Sequence, residues 1–117
     1  CSLRDIQVYL EVTITLPLWE PMSGTPFDVE RAWRSFDRAL RRHELGHKQL
    51  AMQEAEMIRR SLVGLRTSSC DTIDEEARAI SGRIRQTYQN LHHDYDRQTD
   101  HGRTQGATWP LRARAGR

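Results

Sequence analysis

The segment that most constrains the fold is His43-Glu44-Leu45-Gly46-His47. Two histidines four residues apart lie on one face of an α-helix, one turn from each other. The pattern H-E-x-x-H is typical of sites in which both histidines bind zinc and the glutamate acts as general base on the zinc-bound water. The segment therefore predicts a helix that carries two Zn²⁺ ligands, His43 and His47, and the catalytic base Glu44.

Apolar residues at helical spacing continue the pattern on both sides of this segment, and His43 and His47 fall on the same stripe. Both imidazoles should therefore face inward. Thr25 and Pro26 form a helix-start signal, so the pattern predicts a first helix over residues 26–65. The alternative for His43 and His47 is that they are hydrogen-bonded core histidines that bind no metal. The apolar members of the stripe are Trp33, Phe36, Leu40, Leu50, Met57 or Ile58, and Leu62.

A glycine inside this helix, Gly46, costs about 1 kcal/mol relative to alanine. One interpretation is that Gly46 allows a kink in the helix or lets another segment approach the metal closely. The other is that it is a tolerated surface residue. Both interpretations are open from the sequence.

A second helix is predicted over residues 72–95, where apolar residues recur three and four positions apart. Asp71 is a candidate N-cap, and the acidic residues 74–76 suit the positive end of the helix dipole. Two long helices joined by a short loop should pack antiparallel. The stripe consists of Ile73, Ala77, Ile80, Ile84, Tyr88, Leu91 and Tyr95.

Residues 4–16 alternate between apolar and polar side chains, which predicts a half-buried β-strand. A lone strand leaves its backbone groups unpaired, so its partners should lie upstream of Cys1 or in a second copy, as a homodimer. The predicted fold class is thus α+β: one domain over residues 1–111, in which an N-terminal strand packs on two long antiparallel helices. This is a minimal zincin-like architecture that lacks upstream strands. The apolar positions are Ile6, Val8, Leu10, Val12, Ile14 and Leu16.

Composition excludes several classes. The 117 residues carry a net charge of only +2, and no segment is apolar and long enough to span a membrane. Residues 112–117 form a basic tail, which we interpret as a solvated end rather than a nucleic-acid site.

A catalytic zinc takes three protein ligands and one water, so a third ligand is needed. Glu54 is excluded because it lies roughly 13 Å along the helix from the level of the metal. In an antiparallel pair, the residues level with the two histidines lie within 88–101. His101 is the leading candidate, since it follows the helix within a metal-site loop over residues 96–106. The alternatives are His92, His93, Asp94 and Asp96, of which Asp96 could instead orient a ligand imidazole.

Tyr95 is the best candidate for a donor that stabilises a developing oxyanion. The alternative is that Tyr95 is a core residue of the helix stripe.

These motifs together resemble a bacterial family of predicted secreted zinc-dependent proteases. H-E-x-x-H occurs in many families, whereas the segment Tyr-Asp-x-x-Thr-x-His-Gly is much more specific. The resemblance implies a protein or peptide substrate, Zn²⁺ as cofactor, an extracytoplasmic location and further chain before Cys1. It rests on Leu16-Pro17-Leu18-Trp19, Trp33, the segment 43–47, Cys70, the segment 95–102 and Gly106.

The chain has two cysteines, Cys1 and Cys70. With the secreted type of resemblance, an even count in a small domain predicts one disulfide. The alternative is that Cys1, followed by Ser2, is the lipidated N-terminus of a lipoprotein.

Two classes of function follow from the sequence. The first is a zinc metallopeptidase. The second is a non-catalytic helical module, in which a structural metal or a histidine cluster joins two helices for protein binding.

Overall fold

The structure is a computed structural model, which describes residues 1–109 of the chain. Two long helices dominate it, α1 over Phe27–Gly64 and α2 over Ile73–Thr99, and a short 3-10 turn follows over Arg103–Gln105. Their bounds lie close to the predicted ones, except that α2 continues four residues further. Tyr95 and Asp96 therefore lie on a helix, where their side-chain positions are fixed by the helical repeat.

The prediction of an N-terminal strand is wrong. Residues 4–16 form no regular secondary structure, and no strand occurs anywhere between residues 1 and 109. Three of the six apolar positions are exposed, Leu10 at 44%, Val12 at 39% and Ile14 at 37%. Alternation specifies a strand only when a neighbouring strand pairs with its N–H and C=O groups, and the described chain supplies none.

The fold class is therefore helical rather than α+β. The homodimer was predicted to form through the edge of this strand, so the described chain offers no basis for it. The basic tail at 112–117 lies outside the described residues.

Contacts divide the chain into two compact units, and the division passes through both helices. The first unit consists of Cys1–Val12 and His47–Asp94. Within it, the second half of α1 and most of α2 run antiparallel, because residues 65–72 join them at one end and His47 contacts His92 at the other. Its buried side chains are Leu65, Ile73 and Tyr88.

The start of the chain is fastened to the loop after α1 in this first unit. Cys1 and Cys70 lie at disulfide-bond distance, with 5.3 Å between their Cα atoms. The amide of Thr67 donates to the carbonyl of Cys1 at 3.0 Å, and the terminal ammonium of Cys1 donates to the carbonyl of Thr67 at 2.7 Å. A sulfur atom in a disulfide is not available for thioether lipidation, so this pairing favours the first of the two cysteine hypotheses.

The second unit consists of Thr13–Gly46 and the chain from Tyr95 onward. Its centre is an aromatic cluster in which Trp33 contacts Trp19, Phe36 and Trp109, with ring centroids 5.5–5.6 Å apart. Such edge-on and tilted contacts contribute beyond the area that they bury. The cluster helps to hold the first half of α1 against the segment that follows α2.

None of the helices in residues 1–109 is both long enough and apolar enough to cross a membrane.

We expect Cys70→Ala to lower the free energy of unfolding by about 4 kcal/mol, because the bridge closes a long loop. The two cysteines are 69 positions apart. Urea denaturation measures the change, and Ser68→Ala, an exposed neighbour, is the control. Intact mass before and after reduction should differ by about 2 Da, since reduction adds two hydrogens to the bridge. An unreduced mass that already includes these hydrogens would show that the bridge does not form.

Candidate metal centre

His43 is the most buried polar residue of the described chain, with 3% of its surface exposed. Both ring nitrogens have side-chain partners from the segment that includes the end of α2 and the turn after it. Nδ1 lies 2.9 Å from Oε1 of Gln105, and Nε2 lies 3.0 Å from Oδ1 of Asp96. A buried imidazole needs such partners, because an unpaired polar group in a core costs free energy.

Tyr95 packs against His43 in the same unit. The two rings stack with centroids 4.8 Å apart and an angle of 12°. The Tyr95 hydroxyl donates to the backbone carbonyl of His43 at 2.9 Å, and it accepts from Nε2 of Gln105 at 3.1 Å. The hydroxyl that was predicted to stabilise an oxyanion thus holds the backbone beside the motif. Its catalytic role stays a prediction.

His47 lies one helical turn beyond His43 on α1 and is half-buried. In the first unit its Nδ1 lies 2.7 Å from Nδ1 of His92, and the two rings stack at 5.0 Å. One of these nitrogens must donate and the other accept. His92, which the sequence offers as an alternative third ligand, therefore contacts the second motif histidine directly.

Three of the predicted or alternative ligands come together. His43, His47 and Asp96 each offer one ligand atom, and these atoms lie within 4.8 Å of one another. Imidazole nitrogen and carboxylate oxygen are both ligands that zinc accepts. The group could hold a metal ion, and the helical spacing of the motif accounts for two of its three members.

His101 was predicted as the third ligand, and it lies beside this group rather than within it. Its Nδ1 is 3.9 Å from Oδ2 of Asp96, and its side chain is 77% exposed. Asp100 and His101 have φ values of 48° and 54°, which few non-glycine residues adopt. Whether His101 binds the metal stays a prediction.

Glu44 is half-buried and follows His43 directly on α1. Consecutive helical residues are rotated by about 100°, so Glu44 flanks the ligand face without sharing it. The role of Glu44 as a general base stays a prediction.

Two glycines permit the close packing around His43. A Cβ on Gly46 would overlap Oη and Cζ of Tyr95, and a Cβ on Gly102 would lie 3.1 Å from Cβ and Cγ of His43. Gly102 also has φ +92°, a conformation that side chains rarely adopt. The close approach of another segment to Gly46 is confirmed, because the ring of Tyr95 lies against it; an approach to a metal stays a prediction.

Two residues that were not predicted as site residues, Gln105 and Thr99, both lie against Nδ1 of His43. A glutamine is rarely singled out, because amides seldom bind zinc. The available signal was its position between Gly102 and Gly106, two glycines that both have positive φ. Such spacing marks a tight turn, and the turn delivers the amide to the ring.

We expect Gly46→Ala to destabilise the protein by about 1–3 kcal/mol, because the new methyl group would displace the Tyr95 ring. In an exposed helix the same change stabilises by about 1 kcal/mol. Gly82→Ala is the matched control, since nothing lies within 4 Å of a Cβ at that position on α2. In urea denaturation, the change in the free energy of unfolding should therefore have opposite signs in the two variants. Stabilisation by Gly46→Ala would contradict the contact.

Comparison with known proteins agrees with the bacterial part of the resemblance. A family model described as "Bacterial protein of unknown function (DUF922)" matches residues 1–102. Neither the curated proteins nor the solved structures contain a match to the chain. The model covers well over half of the sequence, including both helices and all three residues of the candidate metal group. The chain therefore belongs to this bacterial family, DUF922, whose function is unknown.

Proposed function

We propose that this protein is a zinc-dependent peptide hydrolase, in which His43 and His47 hold the metal and Glu44 is the general base. One observation carries the proposal: the two motif histidines and Asp96 present ligand atoms within 4.8 Å of one another. The H-E-x-x-H spacing supplies the rest of the argument, because it places a carboxylate next to the first ligand.

The residues present fit a zinc ion. Two ligands on a tetrahedral zinc, with bonds of about 2.0–2.1 Å, lie about 3.3 Å apart. Nε2 of His43 and Oδ1 of Asp96 are 3.0 Å apart, so a small adjustment would accommodate the ion. We therefore propose Asp96 as the third ligand beside the earlier candidate His101, which contacts the other oxygen of the same carboxylate.

Zinc at such a site would supply Lewis acidity and a water molecule that is a nucleophile near neutral pH. The chain's own residues would divide the remaining work. Glu44 would accept a proton and return it to the leaving amine. Tyr95, if its hydroxyl leaves the carbonyl of His43, would donate a hydrogen bond to the developing oxyanion.

A second candidate function is a non-catalytic metal or histidine cluster that stabilises the helix pair. The burial of His43 favours it, because a ring that is 3% exposed is placed like a core residue. The two candidates differ in what Glu44 does, since a structural site needs no base.

We also propose an extracytoplasmic location. The cysteine pair at disulfide distance supports it, because disulfides persist mainly in oxidising compartments.

We expect the purified protein to bind about one zinc per chain. His43→Ala, His47→Ala and Asp96→Asn should each lower the affinity by at least about a hundredfold, because ligand loss exceeds the 10–100-fold effect of an outer-sphere partner. Competition with a chromogenic chelator measures this. His93→Ala is the matched control, since His93 is an exposed histidine on α2 outside the group.

His101→Ala separates the two candidates for the third ligand. If Asp96 is the ligand, His101→Ala should keep zinc at nearly the wild-type affinity, and Asp96→Asn should not. If His101→Ala loses zinc affinity and Asp96→Asn keeps it, His101 is the third ligand. Equal affinity in all variants would overturn the metal site altogether.

We expect Glu44→Gln to fold, to keep its zinc and to lose peptide hydrolysis by about 10²–10⁴-fold, because glutamine cannot accept the proton. Glu54→Gln, the same change on the same helix, should leave hydrolysis unchanged. A quenched-peptide library and a denatured protein serve as substrates. Hydrolysis that survives in Glu44→Gln would assign the base to another residue, and a zinc-loaded wild type without hydrolysis would favour the non-catalytic cluster.

A further inference from the structure

We propose that Gln105 is a positioning residue that keeps the imidazole of His43 in the tautomer with hydrogen on Nδ1. Nε2 then faces Asp96 as the metal-binding nitrogen. The inference deepens the proposed function and rests on it, because the metal is what gives this tautomer its use.

The Tyr95 hydroxyl determines which atoms donate and which accept in the hydrogen bonds that join Tyr95, Gln105 and His43. A backbone carbonyl only accepts hydrogen bonds, so the Tyr95 O–H must point at the carbonyl of His43, 2.9 Å away. Its oxygen can then only accept from Gln105, at 3.1 Å. The nitrogen of the Gln105 amide must therefore be the atom that faces Tyr95, which decides between the two orientations of an amide group.

The orientation of the amide then decides the tautomer of His43. With its nitrogen on Tyr95, Gln105 presents Oε1 to Nδ1 of His43 at 2.9 Å. A carbonyl oxygen cannot donate, so this contact is a hydrogen bond only when Nδ1 carries the hydrogen. Thr99 agrees with this assignment. Its hydroxyl donates to the carbonyl of Tyr95 at 2.8 Å, so at 3.4 Å from Nδ1 it offers a lone pair.

A neutral imidazole with hydrogen on Nδ1 has its lone pair on Nε2. That nitrogen lies 3.0 Å from Oδ1 of Asp96, which is also an acceptor. A cation joins these two acceptors: either a proton on Nε2, which makes His43 an imidazolium paired with Asp96, or a metal ion. Gln105 thus creates a position at which two acceptors converge, and in metal sites an outer hydrogen bond to the other ring nitrogen serves this purpose.

The backbone holds Gln105 in place for this role. Gln105 ends the short turn after α2, where its backbone N–H donates to the carbonyl of Gly102 at 3.0 Å. The backbone N–H of Gly106 donates to the carbonyl of Arg103 at 3.0 Å and closes the turn. Both flanking glycines have positive φ, and Gly102 itself packs against the His43 side chain. The turn therefore has little freedom to carry the amide elsewhere.

Long-range ¹H–¹⁵N NMR of histidine-labelled protein reads the tautomer directly, and chelator competition gives the zinc affinity. In the zinc-loaded wild type we expect His43 to carry hydrogen on Nδ1 and to bind through Nε2. Gln105→Leu should lower zinc affinity about 10–100-fold. Gln98→Leu, the same change at an exposed position on α2, should leave both readouts unchanged.

Two further variants separate positioning from folding. Gln105→Glu retains an oxygen acceptor for Nδ1, so it should restore the tautomer and most of the affinity that Gln105→Leu loses. Tyr95→Phe removes the group that orients the amide, and we expect a smaller loss in the same direction. Failure of Gln105→Glu to restore either readout, with normal thermal unfolding, would overturn the inference.

The outcomes distinguish this inference from the proposed function. Zinc bound through Nδ1 of His43, or unchanged affinity in Gln105→Leu, would overturn the role of Gln105 and leave the metal site standing. If the wild type binds no zinc, the proposed function fails and metal-free spectra at alkaline pH decide the role of Gln105. Hydrogen on Nδ1 in the wild type and on Nε2 in Gln105→Leu would support it, and any other pattern would overturn it.

Discussion

The imidazole of His43 lies between the amide oxygen of Gln105, at 2.9 Å, and the carboxylate of Asp96, at 3.0 Å. Since the ring is 3% exposed, water cannot replace either partner, and the free energy of burying it depends on both. The other local features serve this arrangement. Gly46 makes room for Tyr95, Gly102 makes room for the ring, and the extension of α2 to Thr99 brings Asp96 onto a helix.

The long helices could be predicted because their apolar periodicity is a local property of the sequence. Gly46 could be singled out for the same reason, since a glycine inside a strong helical pattern needs a cause. The strand over residues 4–16 could not be decided locally. Its alternation is real, but a strand depends on a partner that the pattern itself does not contain, and here half of its apolar positions are exposed.

The candidate metal site likewise has residues that the local sequence predicts and residues that it does not. His43, Glu44 and His47 follow from spacing on one helix, so the sequence is sufficient to identify them. The remaining partners of His43 come from the far end of the chain, and antiparallel pairing narrows them only to a segment. Within that segment the sequence favoured His101 by ligand type, whereas the structure brings Asp96 to Nε2 and Gln105 to Nδ1. Selecting among neighbours on one helix and one turn requires the direction of each side chain, which periodicity does not supply.

The central claim about the protein is that a metal ion binds where Nε2 of His43 and a carboxylate oxygen of Asp96 converge. Crystals grown with zinc and measured at its absorption edge test it most directly. We expect one anomalous peak per chain, about 2.0–2.2 Å from Nε2 of His43, Nε2 of His47 and a carboxylate oxygen of Asp96. A fully occupied zinc elsewhere on the chain, or no peak between these residues, would contradict it.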